Sequence, residues 1–237
     1  MSKKRKELVC SVEDNITQSM GVYGYNVNTS RSFPNIYDGL KPIARRIIAS
    51  LYDLGLTPNK PHVKVSKIVG TCLGQYHPHG DASIVDALVK MGQWFYLQQT
   101  WTEAGGCYGN ITGDEHAAAR YISSKMTPYC YDNIDDFKVA VEWIPNYDNT
   151  TTEPELIPVK YPNLLINGSF GIGVGFSTGI PCHNFKEVCT LAIEYIQNKE
   201  MTLDEMSTKI FPDYPTGGIA INGKILSLKC IEPEMVY

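Results

Sequence analysis

The 237 residues are enough for one large domain or two small ones, and 43% of them are apolar while 19% are charged. This balance is typical of a chain that buries a core, and it excludes disordered, collagen-like and coiled-coil proteins. The formal charge of −4 argues at first against a polyanionic partner. The charge is uneven, however: residues 1–90 carry 12 basic and 7 acidic side chains, whereas residues 91–237 carry 9 and 18. A surface that binds a polyanion is therefore expected early in the chain.

Cysteine spacing and hydropathy indicate the cellular compartment in which the protein is expected. The seven cysteines are odd in number, scattered, and never spaced as C-x-x-C, which predicts reduced thiols rather than a disulfide framework or a zinc site. The basic residues 1–6 are not followed by the apolar core of a signal peptide. Residues 161–185 lack Lys, Arg, Asp and Glu but contain five glycines and two prolines. We therefore expect a cytoplasmic protein without a membrane span.

The early, basic part of the chain predicts a series of helices. Ser11 is a plausible cap for an amphipathic first helix, and a second helix is expected from Pro42 to Gly55. Residues 63–73 predict a third helix that stops at Gly74, and Asp81 is expected to cap a fourth. Residues 75–80, Q-Y-H-P-H-G, cannot continue a helix between them. This outline is typical of a helix-turn-helix or winged-helix DNA-binding module.

The remainder predicts loops, short strands and further helices. Residues 102–113 are rich in glycine and polar side chains, and residues 139–144 alternate like a strand. In residues 171–176 apolar side chains alternate with glycines, which predicts a strand with one bare face that something large, protein or ligand, must approach. Capping-box patterns at residues 184–187 and 202–205 predict two helices, and residues 213–218 predict a turn before a strand at 219–221.

Several familiar sites are not supported by the spacing of residues. The glycine run lacks the G-x-G-x-x-G register of a dinucleotide site, no G-K-[ST] is present, and no serine lies in a G-x-S-x-G elbow. His77 and His79 lack neighbouring cysteines or carboxylates at zinc spacing, so phosphate contact or a structural turn is favoured over metal binding.

Arg120 and Tyr121 form a dipeptide of chemical interest, although composition alone cannot select one of fifteen tyrosines. A tyrosine hydroxyl, with an ordinary pKa near 10, becomes a nucleophile only if a base, metal or cation lowers the cost of ionising it. An adjacent arginine meets part of that need, because its guanidinium also neutralises the charge that grows on a phosphodiester under attack.

Six ordered blocks resemble the breakage-reunion domain of type IIA DNA topoisomerases, the family of the DNA gyrase and topoisomerase IV A subunits. The first is R-S-F-P-N-I-Y-D-G-L-K-P-I-A-R-R, and A-A-A-R-Y contains Tyr121. The blocks span residues 31–46, 68–81, 109–114, 117–121, 145–148 and 162–168. The resemblance covers roughly residues 10–223, and the intact H-P-H-G-D block is of the bacterial or phage type.

The resemblance implies an α+β fold in three parts. Residues 1–29 would form an N-terminal arm helix, residues 30–150 a winged-helix breakage-reunion domain with the catalytic tyrosine, and residues 151–237 the truncated start of a tower domain. The implied activity is ATP-dependent strand passage through transient cleavage of duplex DNA.

The resemblance also implies roles for individual residues. Tyr121 would form a 5′-phosphotyrosyl link, and Arg120 would steady the transition state. Arg31, His77 and His79 match family positions around the scissile phosphate. Four further residues match positions that hold or bend the DNA: Lys41, Arg45, Arg46 and Ile172, the last as a wedge between base pairs.

The implied partners are double-stranded DNA, a second copy of the chain, and an ATPase subunit of the gyrase B or topoisomerase IV B type, assembled as a heterotetramer. That subunit would hold Mg2+ and ATP, and no metal site is expected in this chain. The location would be the cytoplasm, that of the host if a phage encodes the protein.

The sequence departs from the family pattern in places. Ala82 replaces the usual serine of the quinolone contact while Asp86 is retained, so weak quinolone sensitivity is expected. Cys182 stands where a second proline is usual, and we have no physical account of it. The chain also stops at about half the length of the family domain, which leaves open a fragment, a separately encoded remainder, or a non-cleaving DNA-binding module. The domain that distinguishes gyrase from topoisomerase IV lies beyond its end.

Overall fold

The computed structural model describes residues 11–134 and 136–218, in which helices alternate with small antiparallel sheets, compatible with the predicted α+β class. The helices are α1 Val12–Val27, α2 Pro42–Asp53, α3 Val65–Gln75, α4 Asp81–Gly92, α5 Pro128–Asn133, α6 Phe137–Ala140, α7 Asn163–Asn167, α8 Phe185–Gln197 and α9 Leu203–Ser207. The strands are β1 Val63–Lys64, β2 Thr102–Gly105, β3 Ser123–Met126, β4 Trp143–Pro145, β5 Thr152–Pro154, β6 Ser169–Ile172 and β7 Ser177–Ile180.

Helix α1 begins as predicted, because the Ser11 side chain accepts a hydrogen bond from the Asp14 amide at 3.0 Å. It continues into a π-helical turn, Asn28–Ser32. Its apolar stripe is not buried within this chain, since Val12 and Ile16 are exposed and Gly24 is the buried residue of the helix. None of the helices in the described ranges is long and apolar enough to cross a membrane.

The main core lies between α2, α3 and α4 and the three-stranded sheet β1–β3–β2. Helix α2 starts with Pro42 in its first turn and fully buries Ile47, Ile48 and Leu51. Burial of each such side chain contributes roughly 1.5–3 kcal/mol. Helix α4 adds Ile84 and Leu88 to this core, so α3 and α4 pack against the same set of buried side chains.

Several predicted boundaries in this region are wrong. Residues 63–73 do not form one helix, because Val63 and Lys64 pair with β3 and the helix runs from Val65 past Gly74 to Gln75. Asp81 is not a cap: Gly80 holds that position, and the Asp81 carboxylate lies in the first turn, where the helix dipole favours it. Residues 139–144 are divided between α6 and β4.

The described residues from β4 to residue 218 form two hairpins and three helices. The β4–β5 hairpin packs beside α2, and a small second core contains Ile166, Val188, Leu191 and Ile210. Asn184 caps α8 through the Lys186 and Glu187 amides, and Thr202 and Glu205 form the predicted capping box of α9. The predicted strand at 219–221 lies outside the described residues.

The glycine-rich segment forms the β6–β7 hairpin rather than one continuous strand, because the strand ends at Ile172 and the chain returns at Ser177. Gly171 and Gly173 lie on one face of the hairpin, as predicted, but the π-helical turn Asn28–Ser32 of the same chain covers this face. A side chain on Gly171 would overlap the Ser32 carbonyl, and one on Gly173 would overlap the Asn28 amide oxygen. Asn28 also bonds both the amide and the carbonyl of Val174. Protein rather than DNA therefore approaches this face.

Candidate functional site

The turn between α3 and α4 presents His77, which is buried beside Arg46 of α2. Arg46 donates to both carboxylate oxygens of Glu153, at 2.8 and 3.0 Å, and approaches His77 Nδ1 at 3.1 Å. Because a guanidinium only donates hydrogen bonds, Nδ1 must accept, and the proton of the neutral ring is on Nε2. His77 therefore offers an Nε2–H donor to an anion.

Burial and neighbouring charges lower the pKa of His77. Burial lowers its pKa most, and the nearby charges of Arg46, His79 and Arg31 lower it further, to about 4. The His79 ring lies edge-on at 5.0 Å from the His77 ring and is exposed. The structure thus brings together four of the predicted residues, Arg31, Arg46, His77 and His79; we call them the histidine cluster.

The turn that holds this cluster is anchored on several sides. The Tyr76 hydroxyl donates to Asp53 of α2 at 2.5 Å, and the His77 amide donates to the Cys72 carbonyl at 2.8 Å. Asn146 donates to the Gln75 carbonyl at the end of α3. Because these bonds join α2, α3 and the β4–β5 hairpin, the cluster is preorganised before any ligand arrives.

Arg120 and Tyr121 lie on a surface loop directly before β3. The Tyr121 ring is 65% exposed, and the Arg120 guanidinium carbon lies 4.8 Å from its centroid, a cation–π contact. The loop is held to the start of α3, because the Ser66 amide donates to the Ala119 carbonyl and the Val65 amide to the Ile122 carbonyl. The phenol is thus accessible, with a cation beside it.

The predicted catalytic residues fall into two groups at opposite ends of α3. The Tyr121 loop is bonded to the N-terminal residues of this helix, whereas His77 follows its C-terminal end. Eleven residues at 1.5 Å each separate the two ends by about 16 Å. In the part of the chain that the structure describes, no hydrogen bond, ion pair or ring contact joins the Arg120–Tyr121 pair to the histidine cluster.

Arg45, a predicted DNA contact, is buried. It donates to both carboxylate oxygens of the fully buried Asp38, at 2.7 and 3.2 Å, and to the Leu40 carbonyl. Asp38 also accepts from the amides of Leu40 and Ile157. This geometry gives Arg45 a structural role in holding the loop before α2, so we do not include it among the proposed DNA contacts.

Lys41 connects the helical core to the glycine-rich hairpin. Its ammonium donates to the Phe170 carbonyl at 2.7 Å, and burial, followed by the charge of Lys90, lowers its pKa. Phe170, Ile172 and Phe176 expose large apolar side chains on this hairpin. Ile172, the predicted wedge residue, is 73% exposed.

A cleft of about 670 Å³ lies between α2, α4 and the β6–β7 hairpin. Its walls carry the cations Arg31, Lys41 and Lys90, with Asp86 as an acidic neighbour. These cations belong to the part of the sequence with excess positive charge, and their arrangement suits a polyanion.

Ala82 and Asp86, the predicted drug-contact positions, are exposed on α4. Asp86 is approached by His116, whose Nε2 lies 3.3 Å from the carboxylate. His116 and Glu153 could not be selected from the sequence, because neither belongs to a recognisable spacing pattern. Among the described residues, no group of three His, Cys, Asp or Glu side chains could hold a metal ion.

Comparison with known proteins decides the family. The family model that describes the A subunits of DNA gyrase and topoisomerase IV matches residues 31–230. The chain belongs to this family. It is 42% identical to the DNA gyrase A subunit of Buchnera aphidicola over 93% of this chain and 27% of that protein. The corresponding protein of Clostridium acetobutylicum is 46% identical over 85% of this chain and 24% of the relative. The chain thus spans about a quarter of the length of these relatives.

Proposed function

We propose that this chain is the DNA-binding and DNA-cleaving part of a type II topoisomerase of the gyrase A kind, with α3 and α4 as the helix-turn-helix of a winged-helix domain. The observation that carries the proposal is the exposed Tyr121 phenol with Arg120 at 4.8 Å, in a chain of the gyrase A family. Neither residue is buried, so both can reach a DNA backbone.

The chemistry we propose is a reversible transesterification. The Tyr121 oxygen attacks the phosphorus of a phosphodiester, the new O–P bond forms, and the bond from phosphorus to the 3′ oxygen breaks. The proton lost by the phenol is balanced by the one gained at the 3′ hydroxyl. Arg120 neutralises the charge that develops on the phosphate. The reverse attack by the 3′ hydroxyl reseals the strand without external activation.

We further propose that the two groups of residues meet across a dimer. Arg31, His77 and His79 would hold the phosphate that Tyr121 of a second copy attacks. The separation of about 16 Å along α3 supports this arrangement, because one phosphodiester cannot contact both ends of the helix. Two copies would cleave the two strands.

The proposed DNA path crosses the cationic cleft. Lys41 and Arg46 would contact the backbone, which anchors a duplex without reading its sequence. Ile172, exposed on the hairpin, would insert between base pairs and bend the duplex. Such bending costs about 1–6 kcal/mol, which the added backbone contacts offset.

The partners follow from the family. The side chains described here do not provide a metal site, so we derive no step through a metal held by this chain. We propose that a B-type ATPase subunit binds Mg2+ and ATP. Two copies of that subunit and two copies of the A-type chain would form the working heterotetramer on the duplex.

The experiment traps the covalent intermediate. The chain is mixed with its B-type subunit, supercoiled DNA and magnesium. The reaction is stopped with denaturant, and the amount of protein attached to DNA 5′ ends is then measured. Wild type should give the adduct and Tyr121→Phe none. Tyr195→Phe, an exposed tyrosine on α8, is the matched control and should behave like wild type. DNA binding by wild type without an adduct would instead indicate a non-cleaving DNA-binding module.

A further inference from the structure

We propose that His116 is a positioning residue for cleavage, and that its doubly protonated ring bridges the Tyr121 loop to helix α4. This inference rests on the proposed function and adds to it a control of the nucleophile by pH. It concerns a residue outside the Arg120–Tyr121 pair and the histidine cluster.

The bridge has two contacts, one from each ring nitrogen. His116 Nδ1 lies 2.9 Å from the Ala117 carbonyl oxygen, and Nε2 lies 3.3 Å from Asp86 Oδ1. A carbonyl and a carboxylate both accept hydrogen bonds, whereas a neutral imidazole carries one N–H. Both contacts can therefore be hydrogen bonds only when the ring carries both protons.

The charged groups around the ring are few. On α4 the facing group is the Asp86 carboxylate, and Lys90 follows one turn later. On the ring's own loop, Asp114 is bonded to Asn110 and Arg120 lies over the Tyr121 ring, while Glu115 is the preceding residue. Asp86 is thus the carboxylate that pairs with the ring.

The bridge joins two parts that the proposed reaction must keep in register. Backbone bonds hold the loop to Cys107, through the Ala117 amide, and to the start of α3, through Ala119. The contact with Asp86 adds α4, the second helix of the proposed helix-turn-helix. Loss of one ring proton removes a donor and the positive charge of the ring, so the ring can no longer donate to both acceptors and its pairing with Asp86 weakens.

The expected consequence is a pH-dependent yield of covalent complex. Histidine is the side chain whose charge changes between about pH 5 and 8. The bridge should be complete when the ring carries both protons and should weaken as the pH rises. Because His116 is 26% exposed and Asp86 is 62% exposed, we expect an effect of about two- to fivefold, the size that an exposed ion pair supports.

The first test measures the adduct of the full chain with its B-type subunit from pH 6 to 8. Compared with His116→Gln, wild type should lose about two- to fivefold more adduct as the pH rises. Asp86→Asn should resemble His116→Gln. His62→Gln is the matched control, because His62 also contacts a carboxylate at 3.3 Å, that of Glu103, with similar exposure. An unchanged profile in His116→Gln, or an equal change in His62→Gln, would overturn the inference.

The second test does not require cleavage. Amide hydrogen exchange of residues 117–121 is measured in the free chain at pH 6 and pH 8 and corrected for the intrinsic rate. Wild type should be better protected at pH 6, and His116→Gln should show no such difference; equal protection in wild type at both values would contradict the bridge. An absent adduct at every pH with a pH-dependent exchange would overturn the proposed function and leave the bridge intact.

Discussion

At the C-terminal end of α3, His77 is buried and bonded to an arginine that is itself held by a carboxylate, whereas at the N-terminal end Tyr121 is 65% exposed beside Arg120. The first environment fixes donors in place for an anion. The second leaves a phenol at the surface, where a DNA backbone can reach it. The proposed anchoring of the phosphate and the proposed attack by the phenol thus use side chains of opposite burial, which lie at the two ends of one helix.

The largest expected effect concerns a buried ion pair, that of Arg45 with Asp38. Asp38→Ala leaves Arg45 buried without its carboxylate, which we expect to lower the free energy of unfolding by about 3–5 kcal/mol. Denaturant unfolding measures the change. Glu194→Ala, which removes an exposed ion pair with Lys209, is the control and should cost less than about 1 kcal/mol. Equal losses in the two variants would contradict the structural role of Arg45.

The second largest expected effect concerns the exposed Arg120 beside Tyr121. Arg120→Ala should reduce the rate of cleavage about 10²- to 10³-fold, since it removes a cation from the developing charge, and should leave the unfolding free energy nearly unchanged. Single-turnover adduct formation and denaturant unfolding measure the two quantities. Lys186→Ala, which removes an exposed cation in the first turn of α8, should alter neither. A marked loss of stability in Arg120→Ala would mean that the loop is structural.

The pH dependence of stability provides a third test. Since the pKa of His77 is lowered from 6.5 to about 4, the unfolded chain binds more protons between these values. Stability from this residue is therefore complete above pH 6.5 and is lost as the pH falls towards 4, by up to about 3 kcal/mol. Unfolding of wild type and His77→Gln at pH 7 and pH 4.5 measures it. His79→Gln, on the exposed neighbour, should retain the wild-type dependence.

The smallest effect concerns α4. Ala82→Ser introduces the hydroxyl that the family resemblance implies for quinolone contact, and if that role holds, one added hydrogen bond should increase drug potency about two- to tenfold. The drug concentration that gives half-maximal trapped adduct measures this. Ala82→Val, which restores no donor, should leave potency low. High potency in the wild type would contradict the expectation drawn from Ala82.

Local sequence patterns predicted much of this framework. The apolar period of α2 and α4, the Ser11 cap and the Thr202 capping box are all confirmed, because each depends on residues within one or two turns. The strand at Val63 was missed because its partner, Ser124, is distant in sequence.

The candidate site was predictable as a set of residue types but not as an arrangement. Arg45 and Arg46 are adjacent, yet one pairs with Asp38 in the interior and the other with Glu153, 107 residues away. No spacing pattern could separate their roles. The placement of the predicted catalytic residues at two ends of α3 could not be predicted from the sequence either, because it depends on where β3 pairs. The roles of the site residues remain predictions.

We propose above that Tyr121 of one copy acts with the histidine cluster of the other. The most direct measurement uses mixed dimers that combine Tyr121→Phe with His79→Ala, assembled with the B-type subunit and scored for single-strand adducts. With the two changes on different chains, we expect one intact site and wild-type adduct formation at that site. With both changes on the same chain, both sites should be impaired. The opposite pattern would show that each chain completes its own site and would contradict the account.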